Sequence, residues 1–370
     1  MKKILFVIRS LEMGGITTSL VNLLDHIEEN EKNNFDIDVL TFAQNPNITL
    51  PEYVEVLGTT KKLRLAVTSF YEIVKSRKIS DIIKRILLMI EVRIIGPDKF
   101  FRRELKKIVI KDEYDSVIAF SNDIPGSYFN HGATLFAADF TNAPEKITWV
   151  HNDPVKLGFD RAYCEKLYKN FDRIVCVSEA VKEQFDEIFV EDKCKTEVIY
   201  NFFNRKKILH QAGEYIPFKS PDVYNIVTVC RIDNESKRTD GIIKVCERLK
   251  KEGITGFKWR VVGDGPELNQ NIALAKKLDV VDVLEFAGGK KNPLPYVLHS
   301  DLFALYSAYE GHPMVIGEAI ATNTYILTTN YAAAKEQIDS EHGIIALSDE
   351  DFYQQIKTLI TNNKIKGEKV

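Results

Sequence analysis

Short, continuously apolar runs alternate with amphipathic segments along most of the chain. Ile4-Leu5-Phe6-Val7-Ile8 is the first such run. Its lack of polar alternation predicts a strand buried on both faces. Met13-Gly14-Gly15 follows, and then a helix over 17–26 with apolar positions at Leu20, Val21, Leu23, Leu24 and, just beyond, Ile27. Segments 38–42, 116–120, 146–150 and 173–177 read as further strands. This strand-helix rhythm predicts a parallel sheet with helices on both faces.

The rhythm pauses over 204–224, a polar stretch with two prolines and few periodic apolar positions, which predicts a domain boundary. It then restarts. Strands are expected at 226–229, 259–262, 284–286, 302–305 and 325–328, and helices at 239–252, 267–278, 294–299 and 314–321. The expected organisation is a first domain over 1–205, a linker over 206–224, a second domain over 225–348, and a helix with a polar tail over 349–370. Two doubly wound halves joined by a linker place ligands in a cleft at the carboxyl ends of their strands.

Composition narrows the class. The 370 residues are 45% hydrophobic and 28% charged, with a net charge of −3, as in a soluble globular protein whose overall charge names no partner. Nucleic acid is not an expected ligand. MKKILFVIRS is basic and then apolar, but Arg9 ends the run too early for a secretory signal. Ile86-Leu87-Leu88-Met89-Ile90, the nearest approach to a membrane span, stops at Glu91 and Arg93. Cys164, Cys176, Cys194, Cys230 and Cys246 are scattered and form no C-x-x-C, which points to a reducing, cytosolic compartment and away from structural zinc. Locally, residues 61–111 hold 15 Lys/Arg against 5 Asp/Glu. That excess is either a set of solvated helix faces or a basic surface for an anionic membrane or lipid-linked substrate.

Three segments carry candidate chemistry. Val261-Val262-Gly263-Asp264-Gly265-Pro266-Glu267 runs from a strand through two glycines into a helix, a turn that lets a ligand approach the backbone. Val229-Cys230-Arg231 ends a strand and Lys237 follows six positions after the Arg; a guanidinium fork and a lysine point charge suit a diphosphate. In Tyr309-Glu310-Gly311-His312-Pro313-Met314-Val315-Ile316-Gly317-Glu318-Ala319, Glu310 falls on a loop after a strand, Pro313 suits a first helical turn, and Glu318 lies further along that helix. The two acids are placed to bracket one ligand. His312 is a weaker candidate for reading a sugar.

The motifs occur in a telling order: Gly14-Gly15, V-H-N-D-P at 150–154, V-S-E at 177–179, Y-N-x-x-N at 200–204, V-x-R and a Lys at 229–237, V-V-G-D-G-P-E at 261–267, and S-x-x-E-G-x-P-x-x-x-x-E-A at 307–319. From Ile4 to about Ile345 this order resembles the family 4 retaining glycosyltransferases of the GT-B fold. The resemblance implies two Rossmann-like domains facing a central cleft. It also implies a nucleotide diphosphate sugar donor, UDP-linked, with no metal. Glu318 would bind the donor ribose and Glu310 would lie beside the sugar ring. Arg231 and Lys237 would neutralise the diphosphate, helped by amides near Gly15. His151 would reach the sugar near its anomeric carbon, and Gly263 would lie in the donor-side turn. Ser178 and Glu179 read as structural. The clearest D-x-D, Asp36-Ile37-Asp38, runs into a buried strand rather than a loop.

The expected activity is hexosyl transfer to a glycan or lipid-linked saccharide in capsule or other cell-surface polysaccharide synthesis. It would take place in the cytoplasm, peripheral to the inner face of the membrane. A non-catalytic partner subunit of this fold and a nucleotide-sugar epimerase are the competing expectations. The sequence departs from the family in three places. The Arg231–Lys237 spacing is one residue longer than in many members. The loop after 325–328 reads Asn330-Tyr331-Ala332-Ala333-Ala334 where glycines are usual. One helix over 349–360 stands where a long helix commonly crosses back to the first domain.

Overall fold

The computed structural model describes residues 1–31, 33–189, 195–218 and 223–367; Cys194 and residues 219–222 of the expected linker lie outside them. Seven strands form the first sheet: β1 (Lys2–Leu11), β2 (Phe35–Gln44), β3 (Glu55–Leu57), β4 (Ser116–Ala119), β5 (Glu145–Val150), β6 (Arg173–Cys176) and β7 (Thr196–Val198). They run parallel in the order β3-β2-β1-β4-β5-β6-β7. Ile4 to Ile8 are all buried, on both pleat directions, as a parallel sheet covered on two faces requires. The covering helices are α1 (Gly15–Asn30), α2 (Lys61–Val67), α3 (Phe70–Lys75), α4 (Ile79–Ile95), α5 (Pro97–Leu105), α6 (Ala133–Asp139), α7 (Arg161–Leu167) and α8 (Glu179–Ile188). Phe6, Phe42, Phe101, Phe120, Phe136 and Phe185 fill the core between these layers.

The second unit repeats the plan with six strands: β8 (Tyr224–Val229), β9 (Phe257–Val262), β10 (Leu284–Gly288), β11 (Leu302–Leu305), β12 (Ile326–Thr329) and β13 (Gly343–Ala346). Their order is β10-β9-β8-β11-β12-β13, again parallel. The helices are α9 (Arg205–Ala212), α10 (Thr239–Lys251), α11 (Leu268–Lys277), α12 (Leu294–Leu298), α13 (Met314–Ala321), α14 (Ala334–Gln337) and α15 (Asp349–Gly367). Trp259 is fully buried, and its indole donates to Thr228 Oγ1 at 3.0 Å. α15 packs Phe352, Ile356 and Ile360 into this unit's own core.

The chain divides between Phe202 and Phe203, a little before the expected linker. That interval is not a featureless connector. It opens with α9, which Asn204 caps by accepting from the Lys207 amide at 3.0 Å. Ile208 and Ala212 of α9 pack with Leu294 and Ala321. Just two buried side chains on one short helix leave little periodicity to read.

In each sheet the strand order reverses once, between β1 and β4 in the first and between β8 and β11 in the second. Loops leaving the carboxyl ends of those strands diverge to opposite faces, which opens a crevice suited to a ligand.

Candidate active site

In the second unit, the loops after β8 and β9 are locked together. The Cys230 amide donates to the Val262 carbonyl at 3.1 Å and the Ile232 amide to the Asp264 carbonyl at 2.9 Å. A Cβ on Gly263 would sit 1.8 Å from the Cys230 carbonyl oxygen, and one on Gly265 2.2 Å from that of Ile232. These glycines therefore answer to the crossing of two backbones. Gly263, expected beside the donor, has a packing reason to be glycine. Its consequence for the site is indirect, since the same contact fixes where Arg231 leaves β8. Arg231 is exposed and meets no partner among the described residues.

The next turn is built by Asp233, whose Oδ1 accepts from the Ser236 amide at 2.9 Å. It delivers Lys237 to Glu310, which arrives from the carboxyl end of β11. The Lys237 ammonium donates to a Glu310 oxygen, and the Ser307 hydroxyl donates to the same oxygen at 2.7 Å. The two loops are also tied by the Ala308 amide donating to the Ser236 carbonyl at 2.8 Å. Burial is the largest single influence on the Lys237 pKa and pulls it down, but the charge and hydrogen bond of Glu310, with smaller help from Cys230 and Asp233, together outweigh it and the net shift is upward. Lys237 is a held cation at the β8–β11 switch point, with 23% of its side chain still exposed.

Glu318 lies five residues into α13 and is partly buried, with no donor to its carboxylate among the described residues. Burial pushes its pKa up to about 7. A carboxylate left without partners is a site waiting for donors, because burial without them penalises the charged form. The residue before it, Gly317, is fixed by packing: a Cβ there would lie 2.3 Å from the Phe203 ring. His312 is buried near Phe203 and Gln337, and burial lowers its pKa to about 4, so it is a neutral side chain at physiological pH.

In the first unit, β5 ends at Val150 and hands over to His151, which is 7% exposed. Its amide donates to Asn122 Oδ1 at 2.9 Å and its ring packs edge-on to Phe120. Nε2 is buried with no partner among the described residues. Burial lowers the imidazole pKa to about 4, partly offset by the Phe120 carbonyl; the ring is neutral at pH 7. Gly15 begins α1 at the end of β1, exposed, with no side-chain cap on that terminus. The first amides of a 16-residue helix there remain open to an anion.

The structure thus gathers Arg231, Lys237, Glu310 and Gly263 at the carboxyl ends of β8, β9 and β11, with Glu318 on the helix that follows. His151 and Gly15 stand at strand ends of the first sheet. Ser178 caps α8, accepting from the Val181 amide at 3.2 Å, as a structural reading expects. Asp38 of the D-x-D is buried in β2 and accepts from Tyr114 at 2.6 Å. The alanine-rich loop before α14 contains no positive φ, so alanine fits where glycine is usual. Ser307 and Asn122, which hold Glu310 and His151, are absent from the sequence-based candidates. Ser307 opens the S-x-x-E motif, and that spacing is the available signal; Asn122 has none. Y-N-x-x-N also gains a meaning: Asn201 accepts from Ser19 at 2.7 Å, and Asn204 caps α9.

Residues 217–369 match the family model described as Glycosyl transferases group 1. Over 204 residues the chain is 27% identical to the N-acetylgalactosamine-N,N'-diacetylbacillosaminyl-diphospho-undecaprenol 4-alpha-N-acetylgalactosaminyltransferase of Campylobacter jejuni, covering 54% of each chain. It is 25% identical to the lipopolysaccharide core biosynthesis glycosyltransferase LpsE of Rhizobium meliloti, covering 60% of this chain and 61% of that one. The chain therefore matches little more than half the length of these relatives. Among solved structures, Anabaena Alr3699/HepE in complex with UDP-glucose superposes with a TM-score of 0.64 at 15% identity, covering 98% of this chain and 91% of that one. WaaG, a glycosyltransferase involved in lipopolysaccharide biosynthesis, gives 0.61 at 15% identity over 97% and 90%. The fold is GT-B, two parallel-sheet Rossmann-like units, and the stretch of the second unit that resembles the glycosyltransferase group 1 model has relatives in polysaccharide and lipopolysaccharide synthesis.

Proposed function

We propose that this chain is a retaining glycosyltransferase that moves a hexosyl group from a UDP-sugar to a saccharide or lipid-linked acceptor in cell-surface polysaccharide synthesis. The observation that carries the reading is the set of groups at the β8–β11 switch point: Lys237 held by Glu310, which Ser307 also binds, exposed Arg231 at the end of β8, and Glu318 without a donor among the described residues. A diphosphate leaving group needs fixed positive charge that does not reorganise as the bond breaks. Lys237 and Arg231 supply it, and no metal is required for that task. Glu318 accepts the ribose hydroxyls. Glu310 lies beside the sugar ring, where its bond to Lys237 links sugar position to diphosphate charge.

In the first unit, His151 offers its unpartnered Nε2 to a sugar hydroxyl. Because the imidazole is neutral, it acts as a hydrogen-bonding group and not as a cation. The open amides at Gly15, in the same unit, are suited to receive an anion. The HepE structure was solved with UDP-glucose, and the Campylobacter relative is named for an undecaprenol diphosphate acceptor; both fit this donor and acceptor class. The basic segment 61–111 rests against an anionic membrane, and the chain works in the cytoplasm at its inner face.

A donor screen tests the proposal. Hydrolysis and transfer are measured over a panel of nucleotide sugars, with Glu318→Ala as control. Turnover of one UDP-sugar that collapses in the variant supports the reading. Turnover unchanged by Glu318→Ala overturns the site, release of a free epimerised sugar makes the chain an epimerase, and activity only in a complex makes it a partner subunit.

A further inference from the structure

α4 turns a continuous apolar face to solvent. Ile79, Ile83, Ile86, Leu87, Ile90 and Ile94 are all exposed, Ile79 by 72%, Leu87 by 61% and Ile94 by 76%. Their spacing of three and four residues places them on a single arc of about 100°. The opposite side of the same helix is buried through Arg85, Leu88 and Val92, so α4 has a conventional inward face and a second apolar face besides. The neighbouring α3 adds exposed Phe70 and Val74. Six large aliphatic side chains in one stripe exceed the scattered exposure ordinary on a surface.

The charges around the stripe say what covers it. Within 61–111, four of the basic side chains away from the stripe are neutralised within the fold: Lys62 by Glu91 at 2.8 Å, Arg103 by Glu91 at 2.5 Å, Lys107 by Glu104 at 2.6 Å and Arg102 by Asp139 at 2.6 Å. Arg77, Lys78, Lys84 and Arg93, on α4 or just before it, are exposed and meet no carboxylate among the described residues. An apolar arc rimmed by unpaired cations is complementary to an anionic lipid surface, with acyl chains for the arc and phosphates for the rim. A second copy of the chain fits less well, since a two-fold contact on this face would set its cations against their own kind. Spanning the bilayer is excluded for α4, because no helix among the described residues is long and apolar enough to cross a membrane.

We infer that α4 lies in the plane of an anionic bilayer and inserts its Ile79–Ile94 face below the headgroups. The inference rests on the membrane-contact part of the proposed function and narrows it from a basic segment to one helix face and one mode of contact. It makes membrane binding depend on apolar insertion and not on charge alone.

Both tryptophans of the chain, Trp149 and Trp259, are buried, so Leu87→Trp adds a reporter on the stripe. On vesicles of phosphatidylcholine mixed with phosphatidylglycerol, the added emission is expected to shift to the blue and to be quenched by lipids brominated near the headgroup. Vesicles of phosphatidylcholine alone should bind far more weakly. In sedimentation, the triple variant Ile83→Gln, Leu87→Gln, Ile90→Gln should lose at least ~100-fold in partitioning, since each side chain withdrawn from lipid is worth roughly tenfold. The substituted positions are exposed, so an unchanged melting temperature is expected and excludes misfolding. Binding to anionic vesicles in which the Leu87→Trp reporter keeps its water-exposed emission overturns the inference while leaving membrane contact intact. No binding to anionic vesicles overturns both. A concentration-dependent dimer, abolished by the triple variant, overturns it in favour of a second copy.

Discussion

Donor affinity should depend on pH through Glu318. The free carboxyl titrates near 7 because burial disfavours its charge. Ribose hydroxyls donating to the carboxylate favour the ionised form and draw the pKa back toward its ordinary value of 4.5. Binding then releases a proton wherever the free protein is protonated. Affinity is full above pH 7 and falls about tenfold per pH unit below it, reaching on the order of 80-fold weaker at pH 5. At pH 6 close to one proton is released per donor bound, roughly 0.9. Calorimetry with the intact nucleotide sugar, whose diphosphate stays ionised over this range, reads both quantities when repeated in two buffers of different ionisation enthalpy. Glu318→Gln cannot ionise, so its affinity should be flat from pH 5 to 8. It should also be weaker than wild type at pH 8 by about 10- to 100-fold, the worth of a charged hydrogen bond. Wild-type affinity flat over the same range, or a slope that persists in Glu318→Gln, would refute the assignment.

The same group has a stability signature. A raised folded-state pKa gives a contribution that is complete below pH 4.5 and lost as pH rises through 7, so Glu318→Gln should unfold like wild type at pH 4 but resist urea better at pH 8, by about 1–3 kcal/mol. Gly263→Ala must push apart the Cys230 carbonyl and should cost at least ~3 kcal/mol in urea unfolding, with loss of donor turnover. Ser307→Ala removes the 2.7 Å bond to Glu310 at a stability cost of only about 1 kcal/mol. It should still lower kcat roughly tenfold with KM for the donor little changed, because the loss falls on a group beside the reacting sugar. Arg85 is buried over Phe129 with Nε and Nη1 unpaired among the described residues. Arg85→Met should therefore be neutral or stabilising, by up to ~2 kcal/mol in the same unfolding assay.

Much of this architecture is legible in apolar patterning, for a specific reason. Central strands such as β1, β5 and β8 are buried on both faces over most of their length and are mostly apolar there, so Ile4–Ile8 announces itself. Edge strands β3 and β7 are three residues long and half exposed, and leave no such trace. α13 can be read to the residue because Pro313 marks its start and the apolar run from Met314 ends at Ala321, before Thr322 and Asn323. α9 cannot, because its identity depends on packing with Leu294 and Ala321, more than eighty residues along the chain. The candidate site is legible where a motif carries it, and the structure places Arg231, Lys237, Glu310 and Glu318 on the loops and helix after β8 and β11. What the motif does not convey is which contacts exist without a ligand. That Lys237 is held by Glu310, or that Gly263 serves a backbone crossing, follows from tertiary geometry alone. The second apolar face of α4 is hidden for a related reason: with apolar residues on two sides of the helix, which of them is buried cannot be told until burial is known.

The central claim is that the chain itself transfers a sugar with retained anomeric configuration. A proton NMR time course of the purified protein, with the UDP-sugar selected by the donor screen and a saccharide acceptor, tests it most directly. The coupling constant of the new anomeric proton reports the configuration of the bond formed. The account predicts a product with the anomeric configuration of the donor, accumulating as UDP is released. A product of opposite configuration, or an unchanged donor signal with every nucleotide sugar offered, would contradict it.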